Sequence, residues 1–191
     1  MESKQTQLLQ TYETLLVSWD KTHNLISFGQ RKNLKQHIED SLSVSLMIGE
    51  YVVDLGSGGG LPGIPLAITN PQKQFLLVES NTKKASFLLN TVTKLNLHNT
   101  EVINDRIENI DSSNFPDRFD IVSRAVGSIE ANIALTEQLL KKKGVYLKLM
   151  KTEDQFFKEH LPTGYNVKKI DKYLTKTKDK TRILVTIEKV Q

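Results

Sequence analysis

Val52-Val53-Asp54-Leu55-Gly56-Ser57-Gly58-Gly59-Gly60-Leu61-Pro62-Gly63-Ile64-Pro65-Leu66 is an apolar run that ends in an acid, breaks into glycines and resumes with helix-compatible apolar residues. The pattern predicts a strand feeding a tight turn that opens a helix. Glycines there let the backbone bend and approach a ligand with no Cβ in the way. Helix amides just beyond the turn are expected to offer donors to an anionic group. Asp54 adds the opposite requirement, since a carboxylate repels phosphate and pairs with a cation or an amine. Together these features point to an amino-acid-bearing nucleoside, a description that S-adenosylmethionine fits.

Working outward, strand and helix patterns alternate. Strands are expected at Tyr51–Leu55, Gln74–Val78, Glu101–Asn104, Asp120–Ser123 and Val145–Met150, with helices at 61–69, 83–95 and 129–141 between them. Such alternation predicts an α/β fold with a Rossmann-like, mostly parallel sheet carrying helices on both faces. Val167–Leu174 and Arg182–Glu188 read as two further strands joined by a lysine-rich turn, which adds an antiparallel carboxyl-terminal strand. Before the sheet, Leu8, Tyr12, Leu15, Leu16 and Trp19 recur at helical spacing, as do Leu34, Ile38, Leu42 and Leu46. Residues 1–48 are therefore expected to form a helical cap on a core of residues 49–191, in one domain.

Composition narrows the class. The 191 residues are 38% hydrophobic and 25% charged, the balance of an ordinary globule. No apolar run has the length of a membrane span, and the amino terminus lacks a charged-then-apolar leader pattern, so a cytoplasmic protein is expected. Cysteine is absent, which excludes disulfides and thiolate metal sites. The four histidines form no metal-ligand spacing, and no metal is expected. The net charge of +4 is unevenly placed: residues 1–140 carry −4 and residues 141–191 carry +8. Clustered lysines fit a polyanionic partner or, equally, a solvated face.

In such sheets ligands sit at the carboxyl ends of the strands. The first expected strand ends at Asp54 and the glycines. The second ends at Glu79, a carboxylate suited to ribose hydroxyls, and the third is followed by Arg106-Ile107-Glu108, where an adenine edge would lie. The fourth ends at Arg124, a fixed cation where the transferred group belongs. Gly58-Gly59-Gly60-Leu61-Pro62-Gly63 is also a literal G-x-G-x-x-G, a weak sign of a dinucleotide site. Asp54 opposes a pyrophosphate, and Pro62 and Pro65 remove donors, so a methyltransferase is favoured over an NAD-dependent oxidoreductase.

Residues 54–66 resemble the signature of the bacterial 16S ribosomal RNA guanine-N7 methyltransferases, also called the glucose-inhibited division protein B family. The likeness extends through Trp19 with Asn24-Leu25, His37-Ile38-Glu39-Asp40-Ser41, Leu77-Val78-Glu79-Ser80, Lys83-Lys84, Phe87-Leu88, Arg106-Ile107-Glu108 and Val122-Ser123-Arg124-Ala125, spanning roughly residues 19 to 151. It implies a class I S-adenosylmethionine-dependent methyltransferase fold. It also implies cofactor contacts at Gly56, Leu61, Ile107, Glu108 and Arg124, with S-adenosylhomocysteine as product. Asp54, Gly58 and Glu79 join them on the physical grounds above. The implied partner is 16S ribosomal RNA or the small ribosomal subunit, with the target guanine in a loop near the decoding centre; a monomer is expected.

Guanine N7 carries a free lone pair and no proton, so no general base is required, and Arg124 is the candidate positioning residue. The RNA is expected to meet Arg31, Lys32, Lys35, His37, Lys148, Lys151 and the basic carboxyl-terminal region. Two positions depart from the family pattern. Gln36 stands where an arginine is usual, with Lys35 beside it; Met150 stands where a lysine is usual, with Lys151 following. A one-residue shift in a strand changes the face on which that charge lies. A non-catalytic RNA-binding protein on the same fold is the remaining alternative.

Overall fold

The structure, a computed structural model, describes residues 3–113, 115–124, 127–173 and 181–190. Three helices precede the sheet: α1 (Lys4–His23), α2 (Phe28–Lys32) and α3 (Leu34–Leu42). The sheet strands are β1 (Tyr51–Leu55), β2 (Gln74–Val78), β3 (Thr100–Ile103), β4 (Phe119–Arg124), β5 (Val145–Thr152), β6 (Tyr165–Tyr173) and β7 (Arg182–Lys189). Helices α4 (Gly63–Thr69), α5 (Thr82–Leu95) and α6 (Ile129–Leu140) cross between the parallel strands, and a short α7 (Glu153–Phe156) follows β5.

Among the described residues the strands lie in the order β3-β2-β1-β4-β5-β7-β6. The pairs from β3 to β5 are parallel, and β7 runs antiparallel to both of its neighbours. Winding reverses between β1 and β4, which leaves a crevice at their carboxyl ends.

Strand alternation divides the apolar residues between two layers. Val52, Leu77, Val122, Met150 and Leu184 face α1, α3, α4 and α5, packing with Tyr12, Leu16, Ile38, Ile64 and Phe87. Val53, Leu76, Ile121, Leu147, Leu149 and Val185 face α6, packing with Ile129, Ile133 and Leu140. Period-2 geometry then assigns Asp54, Arg124 and Arg182 to the first face and Lys151 to the second.

Local chemistry sets the helix ends. The Ser3 hydroxyl accepts the Thr6 amide at the start of α1, and Asn24, with φ 49°, ends it. Asn81 caps α5 by accepting the Lys83 and Lys84 amides. Helix α2 was missed by periodicity, although Ser27 and Gln30 form a capping box that marks its start. The helix expected to reach Leu46 stops at Leu42; a 3-10 turn of Ser45–Met47 follows and leaves Leu46 98% exposed. The helix expected from Leu61 starts at Gly63, with Pro62 as its N-cap residue.

The linker to β1 is clamped from below. Lys148 Nζ lies 2.9 Å from Asp120 Oδ2 and donates to the Met47 carbonyl, while the same carboxylate accepts the Gly49 amide. Among the described residues no helix is long and apolar enough to cross a membrane.

Candidate active site

The glycine turn is held from three sides. Gly56 and Ser57 donate their amides to the Val78 carbonyl, joining the turn to the end of β2. Gly58 donates to Glu79 Oε2 at 2.9 Å, and Asn81 donates to Glu79 Oε1 at 2.8 Å. Gly63 donates to Asp54 Oδ2 at 3.0 Å, so a strand carboxylate caps α4. Gly56, Gly58 and Gly60 have φ values of 68°, 56° and 88°, in the left-handed region that glycine adopts without strain. The helix amides just beyond the turn, expected to be free for an anion, are already used: Gly63 donates to Asp54 and Ile64 to the Gly60 carbonyl. The turn amides of Gly56, Ser57, Gly58 and Gly60 also donate within the protein.

Asp54 is 1% exposed, and its Oδ1 has no hydrogen-bond partner. Burial raises its pKa from 3.8 to about 7; the Gly63 amide, the Ser57 hydroxyl and Arg124 oppose that rise, and Glu79 adds to it. A Cβ at Gly63 would lie 2.4 Å from Leu77 Cδ2 and 2.5 Å from Asp54 Oδ2, so any side chain there would displace the buried Leu77 or the Asp54 carboxylate. Leu61 is buried in the apolar layer beneath the turn.

The cap closes on this turn. The Tyr12 hydroxyl donates to the Gly59 carbonyl at 2.7 Å, and a Cβ at Gly59 would strike Ile26 Cγ2 at 2.7 Å. Burial drives the Tyr12 phenol far above its usual pKa, so it remains a neutral donor. The periodicity of the first helix marks Tyr12 as core; nothing local to it announces the partner 47 residues away.

Two recesses flank the turn. A cavity of about 130 Å³ lies beyond β1, β2 and β3, lined by Leu55, Gly56, Val78, Ile107, Glu108 and Leu135 among others. Its apolar walls fit a purine, and Glu79 lies at the end of β2 beside it. A Cβ built at Gly58 would meet only Gly56 O, at 3.7 Å, so the turn is open above that glycine. These residues fit an adenosyl group. Ile107 is buried in the α6 layer, whereas the Glu108 carboxylate is partly exposed and pairs with Arg106 at 3.0 Å.

The second recess is a cleft of about 670 Å³ between the cap and the ends of β4, β5 and β7. Its lining includes His37, Asp40, Arg124, Met150, Lys151 and Arg182. The Arg124 side chain is 8% exposed, donates to the His37 carbonyl at 3.3 Å and stands 3.7 Å from Asp40. Burial pulls its pKa down while Asp40 holds it up. Burial and then Arg124 push His37 below its ordinary pKa, so at neutral pH it adds no charge to the cleft.

A family profile described as rRNA small subunit methyltransferase G matches residues 5–185. The "Ribosomal RNA small subunit methyltransferase G" of Hydrogenovibrio crunogenus is 38% identical over 184 residues, covering 94% of this chain and 83% of that protein. The protein of the same name from Xanthomonas campestris pv. campestris is 37% identical over 181 residues, covering 93% and 84%. The chain belongs to this family. Its fold also matches magnesium protoporphyrin IX methyltransferase from Synechocystis PCC 6803 with bound S-adenosylhomocysteine. That match has a TM-score of 0.60 and 14% identity, covering 97% of this chain and all of the other.

Against the family's pattern, the structure separates the cations expected to meet RNA. Lys32 and Lys35 are exposed on the cap, as is Gln36. Arg31 is paired with buried Asp20. Lys148 is the clear departure: its side chain is 12% exposed and committed to Asp120 and Met47, because β5 turns it toward the linker. Met150 shares the Arg124 face, whereas Lys151 turns to the α6 side and binds Glu159 at 2.6 Å. The one-residue shift thus puts that charge on the opposite face. Lys168, Lys169 and Lys172 pair with Glu188, Asp171 and Glu153. Lys176, Lys178 and Lys180 lie outside the described residues. Sequence reading missed Tyr12, Arg182 and the depth of Asp40, which only the packing of distant segments reveals.

Proposed function

We propose that this chain transfers the methyl group of S-adenosylmethionine to N7 of a guanine in 16S ribosomal RNA, in a loop near the decoding centre. What carries the reading, beyond family membership, is the pair of recesses either side of the glycine turn, one with room for a purine and one lined by Arg124, Lys151 and Arg182. Glu79 takes the ribose hydroxyls, Gly56 and Gly58 allow close approach, and Leu61, Ile107 and Glu108 border the adenosyl group. Asp54 Oδ1 is the acceptor for the amino group, and Arg124 orients the methyl-transfer end.

When bound, S-adenosylmethionine supplies an activated methyl group on a sulfonium whose departure leaves a neutral thioether. The protein's part is alignment and exclusion of water. Guanine N7 has no proton to lose, and the cleft accordingly sets a neutral His37 and a permanently charged Arg124 beside it rather than an acid–base pair. The base must leave its stack to reach the cleft. Exposed Lys32 and Lys35 meet the RNA backbone, with Arg31 and Lys151 at the margin through their paired side chains. Residues 1–48 and 49–191 work as one unit, sharing the apolar layer that holds Tyr12, Leu16, Leu77 and Val122. The partner is 16S ribosomal RNA or the small subunit, and the enzyme acts as a cytoplasmic monomer.

Isothermal titration with S-adenosylhomocysteine tests the cofactor half, with NAD as control. Wild type is expected to bind S-adenosylhomocysteine and give no heat with NAD, and Glu79→Ala is expected to weaken binding about 10- to 100-fold. Folded wild type that ignores S-adenosylhomocysteine would leave an RNA-binding protein on a methyltransferase fold.

A further inference from the structure

Three buried polar atoms in the cleft lack hydrogen bonds: Asp40 Oδ1, Asp40 Oδ2 and Arg124 Nη2. Asp40 is 3% exposed on α3. Its cationic neighbours stand just beyond hydrogen-bonding range, Arg124 Nη1 at 3.7 Å and Arg182 Nε at 3.9 Å. The Tyr173 hydroxyl of β6 is turned to the same carboxylate as a donor, outside ordinary hydrogen-bond geometry, and His37 is one turn back on α3. Buried polar groups are almost always satisfied, so a carboxylate whose donors all stand outside ordinary hydrogen-bond geometry, beside an unpaired guanidinium nitrogen, offers two acceptors and one donor to an incoming group.

The Watson–Crick edge of guanine is the complement, with donors at N1–H and the N2 amino group beside an acceptor at O6. Adenine presents a donor at N6 and an acceptor at N1, which matches neither the number nor the order. We propose that Asp40 selects guanine, accepting from N1–H and the N2 amino group while Arg124 Nη2 donates to O6. The inference rests on the methyltransferase reading above. Arg182, 28% exposed at the start of β7, stands 3.9 Å from the carboxylate on its solvent side.

Placement favours a base over the amino-acid end of the cofactor. Asp40 stands over β4 and β7, and the purine-sized cavity borders β1, β2 and β3 on the other side of the switch point. The chemistry favours it too. Methylation at N7 puts positive charge on the purine and acidifies N1–H. A carboxylate at that proton therefore binds the transition state more tightly than the substrate, which accelerates the step.

Small subunits are reconstituted with guanosine or inosine at the position that wild type methylates, located by mass mapping. Inosine keeps N7, O6 and N1–H and lacks only the N2 amino group. Single-turnover transfer by wild type is expected to be about 10- to 100-fold faster on guanosine. Asp40→Asn is expected to slow transfer to guanosine about 100-fold and to bring the guanosine-to-inosine ratio below about threefold. Its affinity for S-adenosylhomocysteine stays within about threefold of wild type. An unchanged ratio in Asp40→Asn makes Asp40 a structural residue and overturns the proposal. S-adenosylhomocysteine binding weakened as much as transfer does so in favour of the cofactor's amino-acid end. If the variant does not fold, wild type decides alone, and a ratio below about threefold overturns the proposal. Wild type that binds S-adenosylhomocysteine yet methylates neither subunit overturns the ribosomal reading and this inference with it.

Discussion

Replacing Asp54 by asparagine is expected to stabilise the protein, and by more at pH 8 than at pH 5. The Asp54 carboxyl is buried and its pKa is raised from 3.8 to about 7. An acid with a raised pKa holds its proton in the folded state and loses it readily in the unfolded one. Folding is therefore penalised progressively as pH climbs above 3.8, and the penalty levels off above about 7. At 1.36 kcal/mol per pKa unit it is roughly 1.6 kcal/mol at pH 5 and roughly 4 kcal/mol at pH 8. Asparagine has the same shape, keeps an oxygen for the Gly63 amide and carries no charge. The stability gain should then grow by about 2.5 kcal/mol between the two pH values. For a chain of this size that is about 5–10 °C in melting temperature. Urea denaturation of both proteins at both pH values measures it, and the difference between proteins cancels every other titrating group. Parallel stability curves from pH 5 to pH 8 would refute the account of Asp54 as a costly buried acid. A protein that keeps an acid where an amide is more stable has a use for its charge, and the amino group of the proposed cofactor supplies one.

Tyr12→Phe deletes the bond to the Gly59 carbonyl and leaves that carbonyl buried; a loss of about 1–3 kcal/mol in denaturation and weaker S-adenosylhomocysteine binding are expected. Unchanged cofactor affinity would show that the cap does not hold the turn. Lys148→Ala should cost about 3–5 kcal/mol by stranding Asp120, yet leave the salt dependence of RNA binding unaltered. Lys35→Ala should do the reverse, changing stability by less than about 0.5 kcal/mol and lowering the slope of log affinity against log salt by about 1.

Residues that act through their immediate neighbours were readable in the chain. The run from Val52 to Leu66 contains its own strand, turn and helix, because glycine conformational freedom and apolar periodicity are local properties. Val145 and Arg182 begin their strands where alternation placed them. The acid at the end of β2 was likewise visible as Glu79, since strand ends in a wound sheet face the crevice by topology alone.

What became of each charge was decided elsewhere. Lysines 148 and 151 are alike in a sequence; the sheet's faces send one to Asp120 under the cap linker and the other to Glu159 beside α6. The turn amides look free until Asp54, Val78 and Glu79 are folded onto them. Asp40, Arg124 and Arg182 come from α3, β4 and β7, and no spacing along the chain brings them together. The sequence by itself determined the elements, their order and the ligand-facing turn, because those follow from short-range sterics and periodicity. Only the tertiary structure decided which polar atoms are already satisfied and which remain for a ligand, because hydrogen bonding and desolvation depend on neighbours distant in the chain.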